Sequence, residues 1–146
     1  MKFDVIVHFE LIEHLIDPNS FIKSIYKNLN QKGLCIFTTP NALGLDNLAI
    51  HYNKPRFMAG GIYPPMHINA FSIQNVLLFA YRNHFKLKSV ETPGKFDMSL
   101  LSIHIDELDD EILREIAQMD NQTKAYMQYL VSYVNGSTHM RVVIEK

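Results

Sequence analysis

The chain has a single cysteine, no apolar run long enough to cross a membrane, and almost no net charge. A lone thiol cannot form an internal disulfide, so Cys35, within an apolar segment, is predicted to be a core residue in a reducing compartment such as the cytoplasm. No stretch approaches the roughly 20 apolar residues of a transmembrane helix. A formal charge of -1, with both signs interspersed, gives no surface suited to nucleic acid or to an anionic membrane.

The hydrophobic pattern predicts alternating strands and helices. At 146 residues, with 47% hydrophobic and 20% charged residues, the chain has the composition of one globular domain. Residues 5–9 form a short apolar run typical of a buried strand. Asp17 and Pro18 then supply a helix start, apolar residues recur at helical spacing until Gly33, and residues 34–41 form a second apolar run. This strand, helix and strand predict a parallel βαβ unit.

The same alternation continues to the end of the chain. Residues 42–70 are punctuated by Pro55, Gly60, Gly61, Pro64 and Pro65, and we interpret this stretch as a long, functional loop. Ser72 is the predicted cap of a helix that reaches His84, and a strand follows at residues 85–91. Two helical patterns, around residues 108–116 and 126–134, precede a closing strand at residues 140–146. We therefore predict an α/β fold.

Polar side chains follow the first two predicted strands. Glu10, Glu13 and His14 come after the first strand, and Thr39 lies at the end of the second. In open α/β sheets, the residues that bind ligands lie beyond the carboxyl ends of parallel strands. The first strand also begins almost at once, although a buried strand needs neighbours on both edges. One edge of the predicted sheet is therefore expected to be exposed.

Several segments together resemble the second half of the class I S-adenosylmethionine-dependent methyltransferases. They are FDVIVHFELIEHLIDP, KGLCIFTTPN, PPMHINAFS, HFKLKSVETPG and MRVVIEK. The resemblance implies the carboxyl-terminal half of a Rossmann-like fold, with a mixed sheet, helices on both faces and an antiparallel last strand. It also implies S-adenosylmethionine as cofactor, with Phe9, Glu10 and Thr39 at its pocket. The glycine-rich cofactor turn of that family would precede residue 1, so residues 1–146 are expected to be one partial methyltransferase-like domain.

The sequence Glu10-x-x-Glu13-His14 resembles a metal site found in two O-methyltransferase branches of that family. One branch adds a later histidine, and His67 occupies the matching position. The resemblance implies Glu10, Glu13, His14 and His67 as ligands of Mg²⁺ or Mn²⁺, with His14 or His67 as a catalytic base. Carboxylates and imidazoles at the end of a strand suit a divalent ion with open positions.

Simpler interpretations stay open for these residues. Asp17 is a sufficient helix cap by itself, and Glu13 and His14 are equally consistent with surface positions on the approach to that helix. His8, inside the strand, is predicted to be a core histidine. The remaining histidines lack ligand-type neighbours at useful spacing and are predicted to be structural or exposed; they are His51, His84, His104 and His139.

Three functions are compatible with these observations. The first is an O-methyltransferase acting on a hydroxylated small molecule, to which this chain supplies the substrate loop and a candidate metal site. The second is a noncatalytic half that acts as an interaction or scaffold partner. Such a half would pair its exposed sheet edge with a separate amino-terminal half or with a copy of itself. The third is an unrelated metal-binding α/β protein.

Overall fold

Four strands and five α-helices are found in the computed structural model, which describes residues 1–45, 64–65 and 67–146. In chain order they are β1 (Phe3–Phe9), α1 (Pro18–Asn28), β2 (Leu29–Pro40), α2 (Ile73–Arg82), β3 (Lys86–Glu91), α3 (Asp97–Ile103), α4 (Glu111–Gln118), α5 (Asn121–Tyr133) and β4 (His139–Glu145). Most of the predicted loop at residues 42–70, including His51, lies outside the described residues.

The strands form one mixed sheet in the order β1-β2-β4-β3. β1 and β2 are parallel, whereas β4 lies between β2 and β3 and is antiparallel to both. The predicted α/β class and the antiparallel last strand are therefore confirmed. Because β4 is antiparallel to β1 and β2, its first residues lie beside the carboxyl ends of those two strands.

Helices α1 and α2 pack on one face of the sheet and form the main core with β2 and β4. The buried side chains at its centre include Ile22, Cys35, Phe37, Val76 and Val142. Both helices begin where the caps predict. The carboxylate of Asp17 accepts from the backbone N–H of Ser20 at 2.9 Å, and Ser72 forms a capping box with Asn75. Helices α3, α4 and α5 pack around a second, smaller core.

The first helix is shorter than its apolar pattern predicts. α1 ends at Asn28, and Leu29 is already extended and begins β2. Leu29 is nevertheless fully buried. It therefore fits the apolar pattern of the helix in the sequence, although its backbone is extended and pairs with Phe3 of β1. The side chain of Asn30 also donates to Asp4 at 2.7 Å, which ties this extended segment to β1.

Other sequence predictions concern single side chains and helix α3. Cys35 is fully buried and His8 is nearly so, as predicted. The ring of His8 stacks on Phe37 with the centroids 4.9 Å apart. Helix α3 was not predicted from the sequence, and its N-cap residue, Phe96, makes no side-chain capping bond. Among the residues that the structure describes, no helix is both long and apolar enough to span a membrane.

The face of β1 that points away from α1 and α2 is exposed. Alternate residues of the strand lie on this face, and 40–61% of their surface is accessible; they are Phe3, Val5, Val7 and Phe9. Within the described ranges, β2 is the neighbour with which β1 pairs, so β1 is an edge of this sheet. An apolar edge strand is a surface on which another polypeptide can pair.

Candidate functional site

A tight turn after β1 directs Glu13 into the protein. Glu10 has a φ of 45°, a left-handed conformation that non-glycine residues rarely adopt. Its backbone N–H still donates to the carbonyl of Thr38, at 3.1 Å. A single turn of 3-10 helix at Ile12–His14 follows. As a result, Glu13 is 1% exposed, whereas His14, one residue later, is exposed.

A backbone clamp holds the segment after residue 66 against this turn. The carbonyl of Glu13 accepts hydrogen bonds from the backbone N–H groups of Ile68 and Asn69, both at 3.0 Å. The side chain of Asn69 also donates to the carbonyl of Leu15 at 2.6 Å. The clamp brings His67 beside His14, with ring centroids 4.6 Å apart.

Glu13, His14 and His67 together form a cluster of metal-ligand type. One ligand atom from each residue lies within 4.8 Å of the other two. Oε2 of Glu13 accepts a hydrogen bond from the hydroxyl of Thr39 at 3.0 Å. Oε1 is buried and has no hydrogen-bond donor among the described residues, and Nε2 of His14 lies 3.8 Å from it. A buried carboxylate oxygen without a donor is well suited to a cation.

Glu10 lies next to this cluster but pairs with a different histidine. Its Oε2 is 3.2 Å from Nε2 of His139, at the start of β4. Burial acts to raise the pKa of Glu10, but hydrogen bonds from His139 and Thr38 and the charge of His139 outweigh it, so the pKa is lowered. The carboxylate is therefore ionised at neutral pH. The predicted role of Glu10 as a fourth metal ligand stays a prediction.

The pKa of His67 also depends on the neighbouring charged groups. Burial lowers the pKa of His67, and the nearby His14 lowers it further, while Glu13 and Glu10 act in the opposite direction. Electrostatic interactions therefore link five side chains at this end of the sheet: Glu10, Glu13, His14, His67 and His139.

A cavity of about 560 Å³ opens beside the Glu10–His139 pair. Its wall includes the apolar side chains of Phe96, before α3, and Leu100, in α3. Thr38 of β2 and Thr138, just before β4, also line it. The volume lies within the range of roughly 300–1,000 Å³ that is usual for small-molecule sites.

The predicted cofactor residues occupy different environments. Phe9 is 61% exposed at the end of β1, next to Glu10. Thr39 is fully buried and uses its hydroxyl to support Glu13. Contact of Phe9, Glu10 and Thr39 with a cofactor stays a prediction.

Sequence reasoning did not include His139 in the site. It is exposed, as predicted, but it is also the partner of Glu10. The signal was available: if the last strand is antiparallel, its first residues lie at the carboxyl ends of the parallel strands. A histidine immediately before the predicted strand at residues 140–146 would then reach the site.

Comparison with known proteins gives one family match. A family model described as "Methyltransferase domain" matches residues 1–79. No curated protein matches the chain. The resemblance seen in the sequence is therefore confirmed at the level of the methyltransferase family, while the metal-dependent O-methyltransferase branch stays a prediction.

Several solved structures share the fold. A methyltransferase dependent on S-adenosylmethionine from Archaeoglobus fulgidus has a TM-score of 0.55 and 14% identity, over 99% of this chain and 60% of that one. The cyclopropane synthase MmaA2 from Mycobacterium tuberculosis has a TM-score of 0.53 and 18% identity, over 99% and 56%. Phosphoethanolamine N-methyltransferase 2 from Haemonchus contortus, in complex with S-adenosyl-L-methionine, has a TM-score of 0.55 and 15% identity. That match covers 99% of this chain and 33% of the Haemonchus chain.

The chain thus spans between one third and 60% of the length of these structures. At such low identities the likeness concerns the fold, which agrees with the mixed sheet and its antiparallel β4. Together with a family match that covers more than half of its residues, this fold shows that the chain belongs to the methyltransferase domain family.

Proposed function

We propose that this chain takes part in transferring a methyl group from S-adenosylmethionine to the hydroxyl of a small molecule, with a divalent metal ion at Glu13, His14 and His67. The observation that carries the proposal is the buried, donor-free Oε1 of Glu13 within 4.8 Å of two imidazole nitrogens. Around a purely structural carboxylate, we would expect hydrogen-bond donors at both oxygens.

The donor set fits a divalent ion. One carboxylate and two imidazoles suit Mn²⁺, Fe²⁺, Co²⁺ or Zn²⁺ better than Mg²⁺, which prefers oxygen ligands. Thr39 holds the second oxygen of Glu13, the kind of outer hydrogen bond that orients a metal ligand. The exposed side of His14 leaves room for a substrate.

In this function each residue has a separate task. A bound divalent ion supplies Lewis acidity that lowers the pKa of a substrate hydroxyl. Glu13 and its clamp fix the direction from which the hydroxyl is held, and fixed orientation contributes strongly to a displacement reaction. If only one of the two imidazoles serves as a ligand, the other, of His14 or His67, accepts the hydroxyl proton. Phe9 and Glu10 border the cofactor at the end of β1.

Support for the cofactor comes from the family and from relatives that bind it. The Haemonchus enzyme is described in complex with S-adenosyl-L-methionine, and a mycolic acid cyclopropane synthase, CmaA1, in complex with S-adenosylhomocysteine. The relatives include N-methyltransferases and cyclopropane synthases as well. A hydroxyl acceptor is therefore proposed from the cluster and not from the relatives.

Calorimetric titration with Mn²⁺ tests the metal site directly. We expect saturable binding to the unmodified chain and at least about tenfold weaker binding to Glu13→Gln, because the loss of a metal ligand should exceed the loss of an outer partner. Glu115→Gln, an identical change at an exposed site on α4, is the matched control. Equal affinities in all three proteins would contradict the metal site.

A second titration, with S-adenosylhomocysteine in the presence and absence of Mn²⁺, tests the cofactor. Micromolar binding, equivalent to about 8 kcal/mol, would support methyl transfer by this chain.

The exposed apolar face of β1 favours a second candidate function, a noncatalytic partner that pairs its sheet edge with another polypeptide. Failure to bind under both conditions would favour that function.

A further inference from the structure

A cavity of about 510 Å³ lies between helices α3 and α5. Each helix contributes one face to its wall, because the lining residues recur at three or four positions along the helix. They are Met98, Ser99, Ser102 and Ile103 of α3 and Asn121, Lys124, Ala125 and Gln128 of α5, together with Lys95 before α3. The volume falls in the range of roughly 300–1,000 Å³ that is usual for small-molecule sites. The cavity is therefore large enough for an organic molecule.

The wall of this cavity carries positive charge in an acidic part of the chain. Acidic residues outnumber basic ones in residues 95–133, where the basic residues are Lys95, Arg114 and Lys124. Both lysines line the cavity, whereas none of the described acidic residues does. In the part of the chain that the structure describes, neither lysine forms an ion pair with a carboxylate. An anion bound in the cavity would supply the missing counter-charge.

The ammonium group of Lys124 is positioned by Ser102. Its Nζ donates to Oγ of Ser102 at 3.2 Å. That hydroxyl uses its own proton toward the carbonyl oxygens of Met98 and Ala117, each 3.0 Å away. An ammonium has three N–H donors, and the bond to Ser102 is the one that the Lys124 side chain makes among the described residues. Two donors of a half-buried ammonium thus remain for a ligand.

Hydrogen bonds within the protein hold the walls of the cavity in place. The side-chain oxygen of Gln128 accepts from the backbone N–H of Met98 at 3.1 Å, and its amide group donates to the carbonyl of Gly94 at 3.0 Å. These bonds fix α5 against the start of α3 and against the segment that carries Lys95. Gln128 also donates to Asp97, but that carboxylate is fully buried and does not line the cavity. A site that is already formed pays a smaller ordering cost on binding.

The lining suits a molecule that has both an anionic group and an apolar group. Lys95 and Lys124 provide two positive charges, and a phosphate monoester carries about 1.5 to 2 negative charges at pH 7. The hydroxyl of Ser99 adds a hydrogen-bonding group to the wall. Met98 and Ile103 add apolar surface that inorganic phosphate would not use. The combination favours an organic phosphate over a simple anion.

We propose that the cavity between α3 and α5 binds a small organic phosphate monoester. Lys124 and Lys95 hold the phosphoryl oxygens, and the organic portion lies against Met98 and Ile103. The proposal does not depend on methyl transfer or on a metal ion at Glu13, because every lining residue lies within residues 95–128. The titrations with Mn²⁺ and S-adenosylhomocysteine therefore test separate questions.

Calorimetric titration with phenyl phosphate tests the site. We expect saturable binding to the unmodified chain, weaker binding of inorganic phosphate and no binding of phenol, because both parts of the ligand contribute. Lys124→Gln should weaken the binding of phenyl phosphate at least about tenfold, since it removes charge-assisted hydrogen bonds. Lys23→Gln, the same change at an exposed position on α1, is the matched control and should leave the affinity unchanged. Lys95 is a less specific target, because it also lines the cavity beside Glu10 and His139.

A second variant adds a negative charge to the wall. Ser99→Glu places a carboxylate at an exposed position of the lining, and its repulsion should abolish the binding of phenyl phosphate. Gln74→Glu adds the same charge at an exposed position on α2 and should have no effect. Circular dichroism confirms that all variants fold. Absence of saturable binding to the unmodified chain, equal affinities of Lys124→Gln and Lys23→Gln, or undiminished binding to Ser99→Glu would overturn the proposal. Inorganic phosphate that binds as tightly as phenyl phosphate would overturn it as well.

Discussion

Two buried carboxylates, Asp97 and Glu13, have opposite surroundings. Both are almost fully inaccessible, at 0% and 1% exposure. Asp97 accepts hydrogen bonds from the hydroxyl of Ser137, from the backbone N–H of Thr138 at 2.8 Å, from the hydroxyl of Thr138 and from the side chain of Gln128. Glu13 accepts one side-chain hydrogen bond, from Thr39, and its Oε1 has no donor among the described residues.

The difference separates a structural carboxylate from one that is available to a ligand. Asp97 joins the start of α3 to the segment before β4 and to α5. Burial acts to raise its pKa, but the hydrogen bonds from Ser137, Thr138 and Gln128 outweigh it and lower the pKa. Glu13 is buried to a similar extent, but its Oε1 has no hydrogen-bond donor among the described residues and is available to a ligand such as a metal ion. Predictions that contrast these two residues therefore test the proposed site.

The largest effect is expected for Asp97→Asn. It removes the charge of a carboxylate to which several groups donate hydrogen bonds, so the free energy of unfolding should fall by about 3 kcal/mol. Urea denaturation measures the loss. Asp106→Asn, the same change at an exposed position, is the control and should change stability little. A loss of the same size at both positions would show that Asp97 has no special structural role.

Acid should remove most of that difference. The pKa of Asp97 is lowered in the folded chain, whereas an unfolded aspartate titrates near pH 3.9, an approximate reference value. Its contribution is therefore fully present above about pH 4 and is lost as the pH falls through the lower pKa of the folded state. Denaturation of the unmodified chain and Asp97→Asn between neutral and acidic pH should give converging stabilities. A constant difference would contradict this assignment.

Addition of Mn²⁺ should stabilise the chain through Glu13. At a concentration one hundred times the dissociation constant, ligand linkage predicts about 2.7 kcal/mol. Glu13→Gln should lose this gain, yet without metal it should cost little, because it replaces a buried charge that lacks a donor at one oxygen. Thermal melts with and without Mn²⁺ measure both quantities. If Glu13→Gln without metal is as damaging as Asp97→Asn, the contrast between the two carboxylates fails.

The smallest effect is expected for Thr39→Val. This change keeps the shape of a buried side chain but removes the donor to Oε2 of Glu13, at a cost of about 1 kcal/mol. The affinity for Mn²⁺ should fall as well, since the second oxygen of Glu13 would lose its orientation. Thr123→Val, which removes a hydroxyl donor to Asp120 at the start of α5, is the control for the affinity. Unchanged affinity in Thr39→Val would show that this hydrogen bond does not support the site.

The sequence predicted the strands and the capped helices because each has a local cause. Asp17, Ser72 and the apolar runs act within a few residues of where they stand. Helix α3 has no such local signal, since its first turn is held by contacts of Asp97 with residues about 40 positions later. The end of α1 was misplaced because Leu29 is buried equally well in an extended conformation.

In the candidate site, too, the residues with a local signal were predicted and those that depend on distant contacts were not. Glu13 and His14 could be proposed from a short motif, whereas the approach of His67 depends on the backbone clamp at Ile68 and Asn69. His139 reaches Glu10 through the antiparallel direction of β4, a property of the whole sheet. The donor-free oxygen of Glu13 has no sequence signal, because it depends on which side chains fail to reach it.

The position of β4 between β2 and β3 has a consequence for synthesis of the chain on the ribosome. β2 and β3 are bridged by β4 and are not neighbours in the sheet. During translation, β3 has no strand to pair with until residues 139–145 have left the exit tunnel, although β1, α1 and β2 can associate much earlier. The sheet therefore cannot be completed until β4 has been synthesised, and contacts between such distant segments form slowly. A ribosome-stalled chain that lacks β4 should consequently expose β3 to proteases and to chaperones.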